Sequence, residues 1–165
     1  KLPCVDIKFE NMTDEGDGEI CVKGDIVMIG YYENPEANAA AFTDDGWFNT
    51  GDIGKVDEDN FIYITGRKKN LIILENGKNV YPEELEYLIG RIEGVEEVLV
   101  YQEDEKIVAE FFLNEKEFPD ARDRIDDDVA QYNRDNPIFK NVAKVKIRDE
   151  EFPKTTTLKI ARKYN

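Results

Sequence analysis

The sequence predicts an α+β protein in two parts: a mostly β stretch over residues 1–66, then a small α+β domain over residues 67–165 with helices packed on a short sheet. Three observations predict it. Short runs rich in β-branched and aromatic residues, separated by acidic and glycine turns, fill the first part. Leu85, Leu88, Ile89 and Ile92 fall at i, i+3, i+4 and i+7, the spacing of one apolar helix face. After residue 70 the order reads β-β-α-β-β-α-β, which packs as helices on one face of a sheet.

Each element has a local reason. Residues 5–10, 19–23 and 26–32 are expected strands, and "DEGDGE" between the first two signals a hairpin. Asn34 caps a short helix, "PEANAAAF", that Pro35 starts. "TDDGWFNTGD" (43–52) reads as a loop, and strands 53–56 and 61–65 flank the turn "DEDN". At "GRKKN" the character changes, and the boundary between the parts is placed at Arg67 to Asn70. "LIIL" leads to a turn at Asn76-Gly77. Pro82 then starts the clearest helix, Glu83 and Glu84 suit its positive end, and Gly94 is the expected stop. "EVLVYQEDEKIVAEFFL" is strand, acidic turn, strand. Residues 120–135 form a more polar helix with Ile125, Val129 and Tyr132 inward. In "AKVKIRD", Val145 and Ile147 point inward and the lysines outward.

Apolar content is ordinary for a globular chain, so a core is available. A net charge of −15 argues against a nucleic-acid partner, which wants a basic footprint, and disfavours binding to anionic lipid. The absence of histidine excludes Ser-His and Cys-His catalysis and the common zinc sites. Any chemistry falls to Lys, Arg, Asp or Glu, and no metal ligand set is read. Cys4 and Cys21 lie in strand-like stretches and are expected to be reduced core residues of a cytosolic protein. Asn11-Met12-Thr13 fits a glycosylation sequon, a motif short enough to arise by chance. No apolar run approaches the ~20 residues of a membrane helix, and no leader pattern is seen. The opening "KLPCVDIKFE" goes straight into apolar alternation and reads as a cut through a larger protein.

Three residues stand out as candidates, each with a plainer alternative. Asp52 in "NTGDIG" follows a glycine turn and could accept bonds from two neighbouring hydroxyls, as on a ribose, or be an ordinary turn aspartate. Arg67 at a strand end could hold a hydroxyl, phosphate or carboxylate with its rigid fork, with Lys68 and Lys69 adding positive field, or belong to a solvated basic turn. Lys159, in the closing "EEFPKTTTLKIARKYN", could neutralise oxygens that gather charge in a transition state, or be a tail lysine.

Taken together and in order, "FTDDGWFNTGDIG", "TGRKKNLII…NGKNVYPEELE" and "FPKTTTLKIAR" resemble the carboxyl-terminal part of the adenylate-forming acyl-CoA synthetases, most closely a fatty-acid–CoA ligase. The likeness covers almost the whole chain. It implies that residues 1–66 end a large amino-terminal adenylate-binding domain and residues 67–165 form a mobile lid. Asp52 would hold the ribose hydroxyls of AMP with help from Arg67, and Lys69 would be the hinge. Lys159 would bridge the acyl carboxylate and the α-phosphate. Gly77, Lys78 and Asn79 would lie on the loop that meets nucleotide in one pose and CoA in the other.

The implied reaction joins a carboxylic acid to ATP as acyl-AMP and then to the CoA thiol. Mg2+ would accompany ATP on ligands outside this sequence. The family's phosphate loop and acyl pocket are missing, so the chain is expected to be an inactive, cytoplasmic fragment whose partner is the amino-terminal domain. That expectation includes no transmembrane segment and leaves room for peripheral contact with a membrane. Two departures stand out. Leu158 replaces the usual glycine of a "TGK" run, which stiffens the loop and points to the fatty-acyl branch. Ile73 or Leu74 stands where relatives carry a basic residue. Competing readings are an aryl- or amino-acid adenylating or carrier-loading enzyme, and a non-catalytic binding module that kept the fold.

Overall fold

A computed structural model describes residues 4–162; residues 1–3 and 163–165, the outer ends of the two expected parts, lie outside the described residues. The fold is α+β, and the chain divides into two compact units between Asn70 and Leu71.

The first unit is an antiparallel sheet in the order β1-β2-β3-β4, formed by Val5–Glu10, Gly18–Gly24, Phe48–Val56 and Ile62–Arg67. A seven-residue helix, α1 (Pro35–Ala41), sits between β2 and β3; the Asn34 side chain accepts the Ala37 N–H at 3.1 Å, the cap its sequence calls for.

Several expectations change here. Residues 26–32 form no strand. β2 already has β1 on one side and β3 on the other, so a continuation finds no free edge in this sheet. The chain turns instead, leaving Ile26, Ile29 and Tyr32 exposed. The expected loop 43–52 is half strand, because Phe48 and Asn49 pair with Val22 and Cys21. Cys21 is buried, and burial pushes its thiol pKa up. Cys4 is exposed rather than in the core, because it precedes an edge strand that no further strand covers. Both are free thiols.

The second unit opens with a two-stranded hairpin, β5 (Ile72–Ile73) and β6 (Asn79–Val80), and continues into α2 (Pro82–Ile89). A three-stranded sheet follows in the order β7-β8-β9, from Val95–Glu103, Lys106–Leu113 and Lys144–Arg148. β7 and β8 run antiparallel, while β9 joins β8 in parallel after α3 (Ala121–Asp135). Register places Val98 opposite Phe111 and Val100 opposite Ala109, on one face of the pleat. Leu85 and Ile89 of α2 and Ile125 and Val129 of α3 fill the core against that face. Truncating Leu85 to alanine would cost about 2–5 kcal/mol through the cavity left behind.

Two details differ from expectation in this unit. The helix stops at Ile89, where Gly90 donates its N–H to Glu86 O; Gly94 serves a later turn at φ +89, leading into β7. Lys146 is not simply outward, because its ammonium lies 2.6 Å from Glu103 and 3.1 Å from the Tyr101 hydroxyl on the sheet's other face. Lys144 and Lys146 together hold the Glu103 carboxyl down to about 2. No helix among the described residues is long and apolar enough to cross a membrane.

Candidate functional site

Asp52 is positioned by a defect in the sheet. Going from Cys21↔Asn49 to Glu19↔Ile53, β3 uses four steps where β2 uses two, so Thr50, Gly51 and Asp52 bulge out of that ladder. Gly51 takes φ +70, a conformation open to glycine and unfavourable for most other residues. The Thr50 hydroxyl closes the bulge, donating to Ile20 O at 2.7 Å and accepting the Asp52 N–H at 3.0 Å. On the other side Asp52 keeps a partner: it faces Arg67 across β3 and β4.

The structure therefore brings together two of the candidates chosen from the sequence. Arg67 Nε lies 2.8 Å from Asp52 Oδ1, and a second nitrogen reaches Thr50 O at 3.3 Å. Three-quarters of the Asp52 side chain is covered, while about half of Arg67 is open to solvent. A carboxylate offers about four acceptor positions, so the pair leaves capacity for two hydroxyl donors.

Beyond Arg67 the chain makes a single 3-10 turn, Lys68–Asn70, containing Lys69. Lys68 binds the buried Glu19 carboxylate at 2.6 Å and so fastens the start of the turn to β2. The next residues enter β5, and the β5–β6 connection holds Gly77 at φ +76 with open space around it. Gly77 N–H donates to Leu74 O, and Lys78 N–H to Asn76 Oδ1. Lys78 Nζ lies 5.5 Å from the Phe139 ring centroid, and Asn79 pairs with Ile73.

Lys159 rides on a terminal hairpin. Lys154 bridges Ile160, Thr155 N–H donates to Lys159 O at 2.8 Å, and Ala161 N–H donates to Pro153 O at 2.7 Å. The Thr155 hydroxyl accepts the Lys159 N–H at 3.3 Å, so Thr155 holds both sides of the Lys159 backbone. The Lys159 side chain is exposed and forms no ion pair with any described residue. Leu158 sits at φ +61 with its side chain in solvent.

Sequence reasoning missed the residues that fasten this hairpin. Glu97 on β7 accepts Phe152 N–H at 2.8 Å and pairs with Lys154 at 2.7 Å. At the other foot, Arg162 meets Glu86 of α2 with contacts of 2.6 and 2.5 Å and donates to Val100 O at 3.0 Å. Burial pushes the Glu86 carboxyl up to about 7, against the pull of Arg162 and the Val100 N–H. A signal for Glu86 was present. It lies four residues after Pro82 and three before Ile89, both buried, so it flanks the apolar face of its helix. Arg162 closes "FPKTTTLKIAR", but nothing local announces its partner.

No model of a known protein family matches the chain. In sequence it is 40% identical over 152 residues to a 2-succinylbenzoate–CoA ligase of Listeria monocytogenes, covering 88% of this chain and 30% of that protein. It is 47% identical over 89 residues to a long-chain-fatty-acid–CoA ligase of Mycobacterium tuberculosis, covering 54% of this chain and 17% of that protein. In fold it is similar to o-succinylbenzoate coenzyme A synthetase from Bacillus subtilis, solved in complex with AMP. The TM-score is 0.81 at 30% identity, over 96% of this chain and 33% of that one. The chain thus spans 17–30% of the length of these two curated relatives.

Proposed function

We propose that this chain, a relative of the adenylate-forming CoA ligases whose carboxyl-terminal part it matches, is the nucleotide-closing portion of an ATP-dependent acyl-CoA synthetase. A carboxylate oxygen of the acid attacks the α-phosphorus of ATP, giving acyl-AMP and pyrophosphate. The CoA sulfur then attacks the acyl carbon, giving the thioester and releasing AMP. In this reading Asp52 accepts the ribose hydroxyls and Arg67 holds its carboxylate in place. Lys159 places its ammonium between the acid's carboxylate and the α-phosphate, where charge accumulates in the first step. The unit after Asn70 is the mobile lid, swinging at Lys69, and Gly77, Lys78 and Asn79 form the loop it presents for the second step.

One observation carries the reading. Asp52 and Arg67 are joined by a 2.8 Å ion pair in the first unit, Lys159 stands on the second, and a single short turn links the units.

Magnesium is expected with ATP in the whole enzyme. Among the described residues no group of three or more carboxylates or cysteines is arranged to hold a metal ion, so no residue here is assigned to it. The phosphate loop and acyl pocket come from a larger amino-terminal domain, and the reaction is placed in the cytoplasm. A second reading, an aryl rather than a fatty acid, is favoured by the match to the 2-succinylbenzoate ligase, which covers 88% of the chain against 54% for the fatty-acid ligase.

Pyrophosphate release with ATP, magnesium and a panel of fatty and aryl acids tests both readings. Turnover is expected when the amino-terminal domain is present and not from residues 1–165 alone. The preferred acid class decides between them, while activity of residues 1–165 by themselves overturns the fragment assignment.

A further inference from the structure

We infer that Arg162 is a positioning residue for Lys159, acting through a buried clamp with Glu86 that fixes the returning strand of the terminal hairpin. The inference rests on the reading of Lys159 as the group that serves acyl-adenylate formation.

The hairpin needs such a clamp. Residues 153–159 are all exposed, and the buried Phe152 and the half-buried Ile160 and Ala161 at its feet give it what apolar anchorage it has. Ordering an exposed segment costs conformational entropy at every residue, and backbone bonds open to water offset little of it. Arg162 and Glu86 supply what the loop lacks. Each side chain is only 18% exposed, and the guanidinium meets both carboxylate oxygens. Nη2 reaches both oxygens while Nη1 reaches Val100 O, so the planar fork is held in direction as well as distance.

The clamp also has a rigid floor. β7 is an edge strand of its sheet, so the outward N–H and C=O of Val100 have no strand to pair with. Glu86 Oε1 accepts that N–H at 2.7 Å, and Arg162 donates to that C=O at 3.0 Å. Together the two side chains replace a missing β partner, and Arg162 is registered against the middle of a core strand. It lies three residues from Lys159, no more than ~10 Å along an extended chain. With Glu97 holding the outgoing strand through Phe152 and Lys154, the lysine sits between two fixed feet.

The test compares half-reactions in the full-length enzyme. Arg162→Met is expected to slow acyl-adenylate formation about 10- to 100-fold, the scale of an ångström misplacement. KM for ATP and acid should stay within about twofold, and thioester formation from supplied acyl-AMP at the parent rate. Arg162→Lys, which keeps charge but loses the fork, should recover part of the rate. A residue that acts only through Lys159 adds nothing once Lys159 is gone. Lys159→Ala combined with Arg162→Met should therefore be no slower than Lys159→Ala alone.

Additive losses, or equal losses in both half-reactions, mark general structural damage and overturn the inference. Parent-rate adenylation by Arg162→Met, with Lys159→Ala impaired, overturns it while leaving the functional reading intact. Full adenylation by Lys159→Ala sinks the functional reading itself, and the inference with it. If Arg162→Met does not fold, the same comparisons made with Arg162→Lys decide the matter.

Discussion

Asp52 and Arg67 face one another across two antiparallel strands, their side chains joined at 2.8 Å, with Asp52 lifted by a bulge that Thr50 closes. The arginine restrains the carboxylate in one rotamer, so the cost of ordering it is met in folding rather than on ligand binding. Replacing Asp52 by alanine in the whole enzyme should weaken AMP binding about 10- to 100-fold, the loss of two bonds to a charged acceptor. Arg67→Ala should cost less, since it removes the support rather than the acceptor. Calorimetric titration with AMP checks both, and equal or negligible losses would contradict the assignment.

Lys159→Ala should cut acyl-adenylate formation by about 10²-fold or more, on the scale of removing a preorganised electrostatic donor. Thioester formation from premade acyl-AMP should be spared, because in this reading the lid has by then carried Lys159 away from the phosphate. Rapid-quench measurement of each half-reaction decides, and matching losses in the two would rule the role out.

Lys69→Pro locks one backbone dihedral within the Lys68–Asn70 turn. If the lid swings there, the thioester step should fall more than adenylation. A variant slowed equally in both steps, or in neither, would move the pivot elsewhere.

Leu158 holds a left-handed conformation that costs a side-chain-bearing residue roughly 1–2 kcal/mol. Leu158→Gly relieves it and should slow amide exchange at Leu158, which donates to Thr155 O, and at Lys159. A protection gain of about fivefold is expected, less than the full relief because glycine loses more backbone freedom on folding. Faster exchange in the glycine variant would show that the leucine is not strained.

Glu86, with its carboxyl pushed up to about 7 by burial, binds a proton more tightly folded than unfolded. Its favourable contribution is complete below its unfolded value near 4.5 and is lost as pH rises through about 7. The parent should therefore lose stability relative to Glu86→Gln across that window, by about 3 kcal/mol. Denaturant melts of both proteins at pH 4.5, 6 and 8 measure it, and a flat difference would refute the shift.

What was legible in the sequence was whatever local chemistry decides. The spacing of Leu85 and Ile89, the Asn34 cap and the order of elements after residue 70 all rest on neighbours within a few residues. What failed depended on distant partners. Residues 26–32 have the composition of a strand but no edge to join, and Phe48 and Asn49 became strand because β2 was there to receive them. At the candidate site, Asp52, Arg67 and Lys159 were chosen by motif, yet the bulge that aims Asp52 was invisible. Of the clamp beneath Lys159, only the place of Glu86 beside an apolar helix face was legible. Glu86 and Arg162 are 76 positions apart, and a glutamate on a helix reads as solvated until its partner is known.

The Glu86–Arg162 cap on Val100 has a second consequence, for self-association. An uncovered β edge is a template for other chains, and here Glu86 of α2 caps the Val100 N–H while Arg162 of the closing segment caps its C=O. Loss of that segment, by nicking or frameshift, would unmask the Val100 carbonyl in the same event that removes Lys159. A damaged copy would then be prone to pair with others along that edge.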